Sequence, residues 1–485
     1  MSTRPQTQSI ANQAEIIGSM KDALGPVSVL TPLEPDSRYL TDWSRDHHGI
    51  ALAIVRPRSV AEVQKTVAYC FKNAIPVIPQ GGNTGLVSGS VNAETACVVI
   101  NLELLNQVRE IDEKNFSMNV DAGCLLRTVK EAAEARQLIF PLSLGSEGSC
   151  QIGGNVAANA GGVNVLRYGM MRELVLGLEV VLPDGSLWNG LGGLRKDNRG
   201  FDLKQLFTGS EGTIGIVTAA CLKLYPAPEK VETAYIGVGS YRDACDFYEA
   251  ARRACGDLLT GFEMIGAECL PLAMQIHPAL RSPLNRDLPV HILLETSASR
   301  YVNLRDLLER FLSDSMDRGL VIDAVLANSH EQARSFWKIR EGLVEGQARR
   351  GFHVRSDISV RLPQVADLVE ALRDMLATRF PAWISQSYGH AGDGNVHFNA
   401  LPSLDLSENE MRETGRKIEA DIYRIVEEFG GSISAEHGLG RTKRERFALS
   451  TDPTHTLLMH KVKQIFDPRN LMNPGCMLNE EGLLQ

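Results

Sequence analysis

Two histidines flank a glycine-rich turn in Gly389-His390-Ala391-Gly392-Asp393-Gly394-Asn395-Val396-His397, directly after a segment, 382–388, that reads as a strand. A carboxylate and a third imidazole follow downstream in Ser434-Ala435-Glu436-His437-Gly438. Two histidines and a carboxylate form the ligand set of an open metal site, one that leaves room for substrate. The glycines allow the backbone to fold tightly enough to aim both rings at one point. Zinc and manganese both suit these donors. Asp393 can serve as a partner to a ligand histidine or as a cap of the turn.

Three further glycine-rich stretches lie in the first half. They are Gln80-Gly81-Gly82-Asn83-Thr84-Gly85, then residues 145–155, then Gly209-Ser210-Glu211-Gly212-Thr213-Ile214-Gly215. Glycines let backbone N–H groups converge on an anion such as a pyrophosphate. Taken singly, each stretch reads as a tight turn. Three of them, each after an apolar strand, point to a dinucleotide cradle. None follows the Gly-x-Gly-x-x-Gly opening of a nicotinamide-binding unit, and no acidic residue stands at the expected later position.

The elements that must position these groups are legible in outline. Residues 1–49 read as helical and irregular with a frayed start. Residues 50–55 read as a buried strand, 60–73 as an amphipathic helix with Val60, Val63, Val67 and Phe71 on one face, and 76–79 as a strand. This is a parallel α/β opening. Strands and turns alternate from 97 to 224, and Pro226-Ala227-Pro228 marks a boundary. A second α/β region, 229–445, has strands near 234–239 and 291–295 and helices over 241–254, 300–316 and 408–429. A short helical tail follows from 446.

The chain of 485 residues is long enough for two or three domains. Its apolar fraction of 44% and charged fraction of 22% are ordinary for a soluble protein. A net charge of -9 and a pI near 5.7 argue against nucleic acid as a partner. Apolar runs are of strand length, so no membrane span is expected. Glu15 and Asp22 interrupt the N-terminal stretch, which lacks a positive segment followed by an apolar core, so a cytoplasmic location is expected. The nine cysteines are scattered, with no Cys-x-x-Cys pair. That suits a reducing compartment and argues against a disulfide frame or an iron-sulfur cluster.

Pro79-Gln80-Gly81-Gly82-Asn83-Thr84-Gly85, the 148–162 stretch and Asp202-Leu203-Lys204-Gln205-Leu206-Phe207-Thr208-Gly209-Ser210-Glu211-Gly212-Thr213 resemble the FAD domain of the vanillyl-alcohol-oxidase, or PCMH-type, flavoproteins. Residues 389–397, 435–440 and 470–475 resemble the FAD-linked 2-hydroxyacid dehydrogenase branch. Leu194-Arg195-Lys196-Asp197-Asn198 is similar to a run in its D-2-hydroxyglutarate dehydrogenases. The resemblance spans roughly residues 40 to 480.

It implies a mixed α/β fold: a two-subdomain PCMH-type FAD-binding domain over 1–228 with its core from about 45, an α/β cap with an antiparallel sheet over 229–445, and a helical segment, 446–485, that returns to the FAD domain. Pro79 and the backbone at Gly81, Gly82, Asn83, Thr84, Gly85 and Leu86 would hold the FAD pyrophosphate. Gly148, Ser149, Ile152, Gly153, Gly154, Asn159 and Gly161 would line the cofactor, with Glu211, Gly212 and Ile216 near its adenine end and Asn473 approaching from the tail. Some relatives tether FAD through a histidine in the first loop. Asn83-Thr84 stands there in this chain, so non-covalent FAD is expected, and Cys150 reads as a packing residue.

The resemblance also assigns the substrate side. His390, His397 and Glu436 would be the metal ligands. His437 would be the general base that takes the hydroxyl proton as the C2 hydride passes to flavin N5, a task suited to a neutral imidazole. A metal on the substrate oxygens would lower the hydroxyl pKa. Arg340 matches an arginine that binds the substrate carboxylate with its planar fork; without the resemblance it reads as a helix arginine paired with Glu341 or Glu345. Asn399 matches a further substrate contact. Val344 stands where the family has a threonine, and Arg355 where it has a lysine, so recognition of the substrate side chain is expected to differ. The expected reaction is oxidation of a D-2-hydroxyacid (D-2-hydroxyglutarate first, D-lactate or D-malate as alternatives) to the 2-oxoacid, with electrons passed to an electron-transfer flavoprotein or a quinone. A homodimer is compatible with this reading. Three rivals stand beside it: an oxidase that uses oxygen, a non-catalytic flavin subunit, which would have no need of these histidines, and a plain metallohydrolase, against which the three dinucleotide-type loops argue.

Overall fold

The computed structural model describes residues 10–25, 28–30 and 37–479, and the frayed start expected for the N-terminus lies outside them. The first sheet runs Val29–Leu30, Ala51–Val55, Cys97–Asn101, Val77–Gln80. The strands expected near 50–55 and 76–79 are present and parallel, with Cys97–Asn101 inserted between them. That central strand is buried at every position, as a parallel strand covered on both faces must be. The crossover helix Val60–Lys72 starts where Ser59 accepts the Glu62 N–H. A second, five-stranded antiparallel sheet runs Val108–Asp112, Ser117–Asp121, Ile216–Lys223, Val175–Val181, Leu187–Asn189. Both sheets share one core through residues such as Val98, Val120, Ile152 and Leu178.

The C-terminal helix Pro453–Phe466 is tied back to this unit. Val77 bridges to Met472, and the Lys463 ammonium donates to Thr213 O, Met472 O and Asp467 Oδ2. All three protons of a buried ammonium are thereby engaged, which its burial demands.

The third sheet has seven antiparallel strands in the order Asp323–Leu326, Lys230–Val238, Val290–Ala298, Leu259–Gly266, Trp383–Gly389, Asn395–Pro402, Asp357–Ser359. Alternation of side chains divides it into two faces. On one, Phe262, Met264, Ile292, Leu294, Val396 and Phe398 pack against residues of the helices Tyr241–Cys255, Leu304–Asp317, Val365–Arg379 and Glu408–Glu428. The second of these helices starts four residues later than the 300–316 expectation, where the Asn303 side chain caps it. On the other face Tyr235, Ile265, Leu293 and Tyr388 meet Phe336, Ile339 and Leu343 of the long helix His330–Arg350. Burial of each such apolar side chain stabilises by roughly 1.5–3 kcal/mol.

The register puts the polar groups on this second face. Ile265 lies opposite Tyr388, Tyr388 opposite His397, and His397 opposite Asp357. Glu263, two residues before Ile265, and Asn399, two after His397, therefore share it. The sheet thus buries an apolar layer on each face, and these polar groups gather on the second.

Candidate functional site

The three glycine loops meet at one edge of the first unit. A Cβ on Gly82 would stand 2.0 Å from Ser149 O, and one on Gly212 3.0 Å from Pro79 Cγ, so the first loop packs on the second and the third on the first. Among the described residues no backbone N–H from 81 to 86 donates to a protein acceptor. The Asn83 side chain is used internally: Nδ2 donates to Arg38 O and Thr41 O, and Oδ1 accepts from Ser90 Oγ. Asn83 itself adopts φ 54°, a left-handed conformation that Asn tolerates. Gln151 Oε1 and Asn155 Nδ2 are buried along the second loop without a hydrogen-bond partner among the described residues. Free amides on a glycine loop, with orphaned polar atoms beside it, fit a pyrophosphate-bearing cofactor.

Other expected cofactor residues hold different posts. Ile152 and Ile216 are core residues of the two-sheet unit. Cys150 is buried. Asn159, at φ 48°, accepts the Arg172 N–H. Asn473 donates to Gly89 O and Glu211 O. The half-buried Glu211 carboxylate accepts the N–H groups of Leu439 and Gly440 at 2.7 and 2.9 Å. A cleft of about 580 Å³ separates Asn159, Gly209 and Glu211 from the 430–438 segment.

That segment carries the carboxylate of the histidine cluster. One ligand atom from each of His390, His397 and Glu436 lies within 4.8 Å of the others. His390 Nε2 is 3.8 Å from Glu436 Oε2, while Glu436 Oε1 accepts the Gly162 N–H at 2.6 Å. A Cβ on Gly161 would meet Glu436 Oε1 at 2.5 Å, so the glycine there admits the carboxylate. Two atoms bonded to one ion at about 2.1 Å each stand some 3–4 Å apart, so the donor set fits a divalent cation.

The field agrees. Burial disfavours a charged His390, yet Glu263 and then Glu436 push it up to about 9, so the surrounding acids favour a positive charge here, whether a second proton on the ring or a cation in that proton's place. Burial holds His397 well below the usual range despite Asp357, leaving a neutral ring. His437 stacks on His397 with ring centroids 6.1 Å apart, and its Nδ1 is 3.6 Å from Asp357 Oδ2.

Arg340 pairs neither with Glu341 nor with Glu345. Its Nε donates to Glu263 Oε2 at 2.7 Å and its guanidinium lies 4.7 Å over the Tyr388 ring, which leaves both Nη groups without a protein acceptor among the described residues. Val344, one turn on, is 49% exposed. Asn399 is buried, with Oδ1 accepting from Ser356 N and Nδ2 donating to Gln347 and Tyr388. Arg355 is exposed; its Nε donates to His353 Nε2 at 2.9 Å and its guanidinium lies 5.7 Å from the centre of the Trp43 ring. Asp393 caps its turn by accepting the Asn395 N–H.

Two buried acids behind the site were absent from the sequence reading. Glu263 Oε1 lies 2.5 Å from His390 Nδ1, which sets the proton on Nδ1 and turns the Nε2 lone pair to the cluster. Asp357 Oδ2 accepts three consecutive backbone N–H groups, from Ala435, Glu436 and His437, at 2.9 to 3.1 Å. Burial would raise its carboxyl, but His437, His397, Lys443 and these N–H groups hold it far below the ordinary range. A signal existed for Glu263, the single acid in the otherwise uncharged strand Leu259–Gly266.

Residues 227–477 match the family described as FAD linked oxidases, C-terminal domain, and residues 51–190 match an FAD binding domain. The chain is 38% identical over 449 residues to the mitochondrial D-2-hydroxyglutarate dehydrogenase of Rattus norvegicus, covering 93% of this chain and 82% of that one. It is 32% identical over 460 residues to the D-2-hydroxyglutarate dehydrogenase of Stutzerimonas stutzeri, covering 95% and 98%. The fold is shared with p-cresol methylhydroxylase in complex with its substrate, at a TM-score of 0.75 and 16% identity over 97% of this chain and 98% of that one.

Proposed function

This chain belongs to the FAD linked oxidase family and is an FAD-dependent dehydrogenase, and from that premise we propose that it oxidises a D-2-hydroxyacid, D-2-hydroxyglutarate first among them, with help from a divalent metal. One observation carries the reading. Glu436 touches both halves of the site, accepting with one oxygen the N–H of Gly162, at the end of the 148–162 stretch of the FAD-binding half, and facing His390 Nε2 with the other. Substrate held at the histidine cluster would thus sit against the loop that lines the cofactor.

When bound, FAD supplies the hydride acceptor and a cation at His390, His397 and Glu436 lowers the pKa of the substrate hydroxyl. The remaining work belongs to side chains. The free Nη pair of Arg340 receives the C1 carboxylate. Neutral His397 and the Nδ1-protonated His390 each present a lone pair. His437 takes the hydroxyl proton, with Asp357 facing its Nδ1 and stabilising the imidazolium that forms. Electrons leave to an electron-transfer flavoprotein or a quinone.

Anaerobic mixing with D- and L-2-hydroxyacids, with and without chelator, tests this. The D-isomers should bleach the flavin and chelation should abolish it. Bleaching by L-isomers alone, or activity unchanged after complete metal removal, overturns the corresponding part.

A further inference from the structure

Arg355 stands on the sheet face that carries the histidine cluster. Asp357 lies opposite His397 and Val354 opposite Ala400, so the register is unbroken between them and Arg355 falls opposite Asn399. Asn399 is hydrogen-bonded to Tyr388, whose ring carries the Arg340 guanidinium. Each of the two arginines thus neighbours one member of the Asn399–Tyr388 pair.

The two are held in the same manner. Arg340 gives its Nε to Glu263 and stacks on Tyr388. Arg355 gives its Nε to His353 Nε2 at 2.9 Å, and its guanidinium lies 5.7 Å from the centre of the Trp43 ring. In neither arginine does an Nη group find a protein acceptor among the described residues. The acceptors differ in charge. Glu263 is a carboxylate, whereas His353 donates from Nδ1 to Gly351 O at 2.8 Å and so offers Nε2 as a neutral acceptor. Of the acids that act on Arg355, Asp46 pairs with Arg412 at 3.5 Å, and Asp42 accepts from Ser44 and Ser88. The exposed Arg355 guanidinium is therefore fixed without being neutralised. Trp43 supplies a wall from the FAD-binding half, and its turn is tied to the first glycine loop, where Asn83 Nδ2 donates to Thr41 O.

We propose that His353 is a positioning residue: it holds Arg355 through Nε and leaves both Nη groups, still fully charged, for an anionic group on the substrate side chain. This rests on the proposed oxidation of a D-2-hydroxyacid, with Arg355 facing the end of the substrate remote from C1. Arginine suits the arrangement because it can spend one N–H on the protein and keep a planar pair for the ligand. A lysine has a single nitrogen, and bonding it to His353 would turn the whole charge toward the imidazole. His353 and Arg355 therefore act as one unit, and a carboxylate at 353 would hold the guanidinium equally well while cancelling its charge.

Three variants separate holding from charge: His353→Leu removes the acceptor, His353→Gln keeps a neutral one, and His353→Glu supplies a charged one. In anaerobic flavin reduction by D-2-hydroxyglutarate, His353→Leu should raise KM ~10-fold with kcat within about twofold, the mark of lost uniform binding. His353→Gln should restore KM to within about threefold of wild type, and His353→Glu should be at least as poor as His353→Leu. KM for D-lactate, which has no second anionic group, should move less than about twofold in all three. The dissociation constant of 2-oxoglutarate, read from the oxidised flavin spectrum, should follow the same order without turnover. In an Arg355→Leu background, His353→Leu should add nothing, since the pair acts as a unit. Gln as poor as Leu, Glu as good as wild type, equal losses for D-lactate, or additive losses in the double variant would each overturn the proposal. A wild-type chain whose flavin is bleached by no D-2-hydroxyacid would instead overturn the functional reading beneath it.

Discussion

Glu263 and His390 are joined at 2.5 Å through Oε1 and Nδ1, and the other Glu263 oxygen accepts from Arg340 Nε. One buried carboxylate thus orients both the histidine proposed as a metal ligand and the guanidinium proposed to receive substrate. Burial would raise its pKa, yet His390 and Arg340 hold it down at about 2. In Glu263→Gln the amide cannot accept from both donors, because one of its two ends is an NH₂. Metal affinity should fall about 10–100-fold, the range for losing an orienting partner. KM for the hydroxyacid should rise as Arg340 loosens, with FAD content unchanged. Equilibrium dialysis against buffered zinc reads the first effect, and unaltered metal retention would refute it.

His437 is the group next to Glu436 whose Nδ1 faces a buried carboxylate. Replacing it by Asn should leave the flavin spectrum intact while the rate of anaerobic flavin reduction drops by about two to four orders of magnitude. A near-normal rate would remove His437 from the chemistry.

Asp357 carries more of the architecture than of the reaction. Asp357→Ala strips the acceptor from three successive backbone N–H groups at 435–437, and orphaned buried donors cost about 1–3 kcal/mol each. Part of that is recovered if water enters, so a loss of roughly 3–6 kcal/mol is expected in denaturant unfolding. Asp357→Asn keeps an acceptor and should lose less than half as much. Equal stabilities for the two variants would show that the amides find other partners.

How much of this was legible depends on the kind of pattern. His390, His397 and Glu436 could be picked out because ligand types beside glycines are rare and local. The strands flanking them alternate, so Tyr388, His397 and Asn399 fall on one face by spacing alone. Partnership across the sheet has no such signature. Glu263 lies 127 residues from His390, and Gln347 lies 52 from Asn399; only the register of the seven strands and the helix over them bring these pairs together. The expected parallel opening is present, but nothing local to residues 50–79 says that a strand from 97 inserts between its two strands. Arg340 illustrates the converse: helix spacing offers Glu341 and Glu345 as partners, and the buried acid on the central strand of the sheet wins because a buried guanidinium needs a counter-charge that water cannot supply.

His353 sets a stability limit on the acid side. Its Nδ1 lies 2.8 Å from Gly351 O and so carries the proton, which leaves Nε2 to accept from Arg355 Nε. Protonating Nε2 would break that bond and set an imidazolium against a guanidinium. Burial first, and then the Arg355 charge, push the imidazole down to about 4. An unfolded histidine titrates near 6.5. Between these values the unfolded chain binds the extra proton, so stability rises with pH: the contribution is complete above about 6.5 and is lost as pH falls toward 4. The difference amounts to about 3 kcal/mol between pH 7 and pH 4. In His353→Gln that component should vanish, so the gap between wild type and variant in urea unfolding should narrow by about this amount as the pH is lowered. A gap that stays constant from pH 7 to pH 4 would show that His353 is not held neutral in the folded chain.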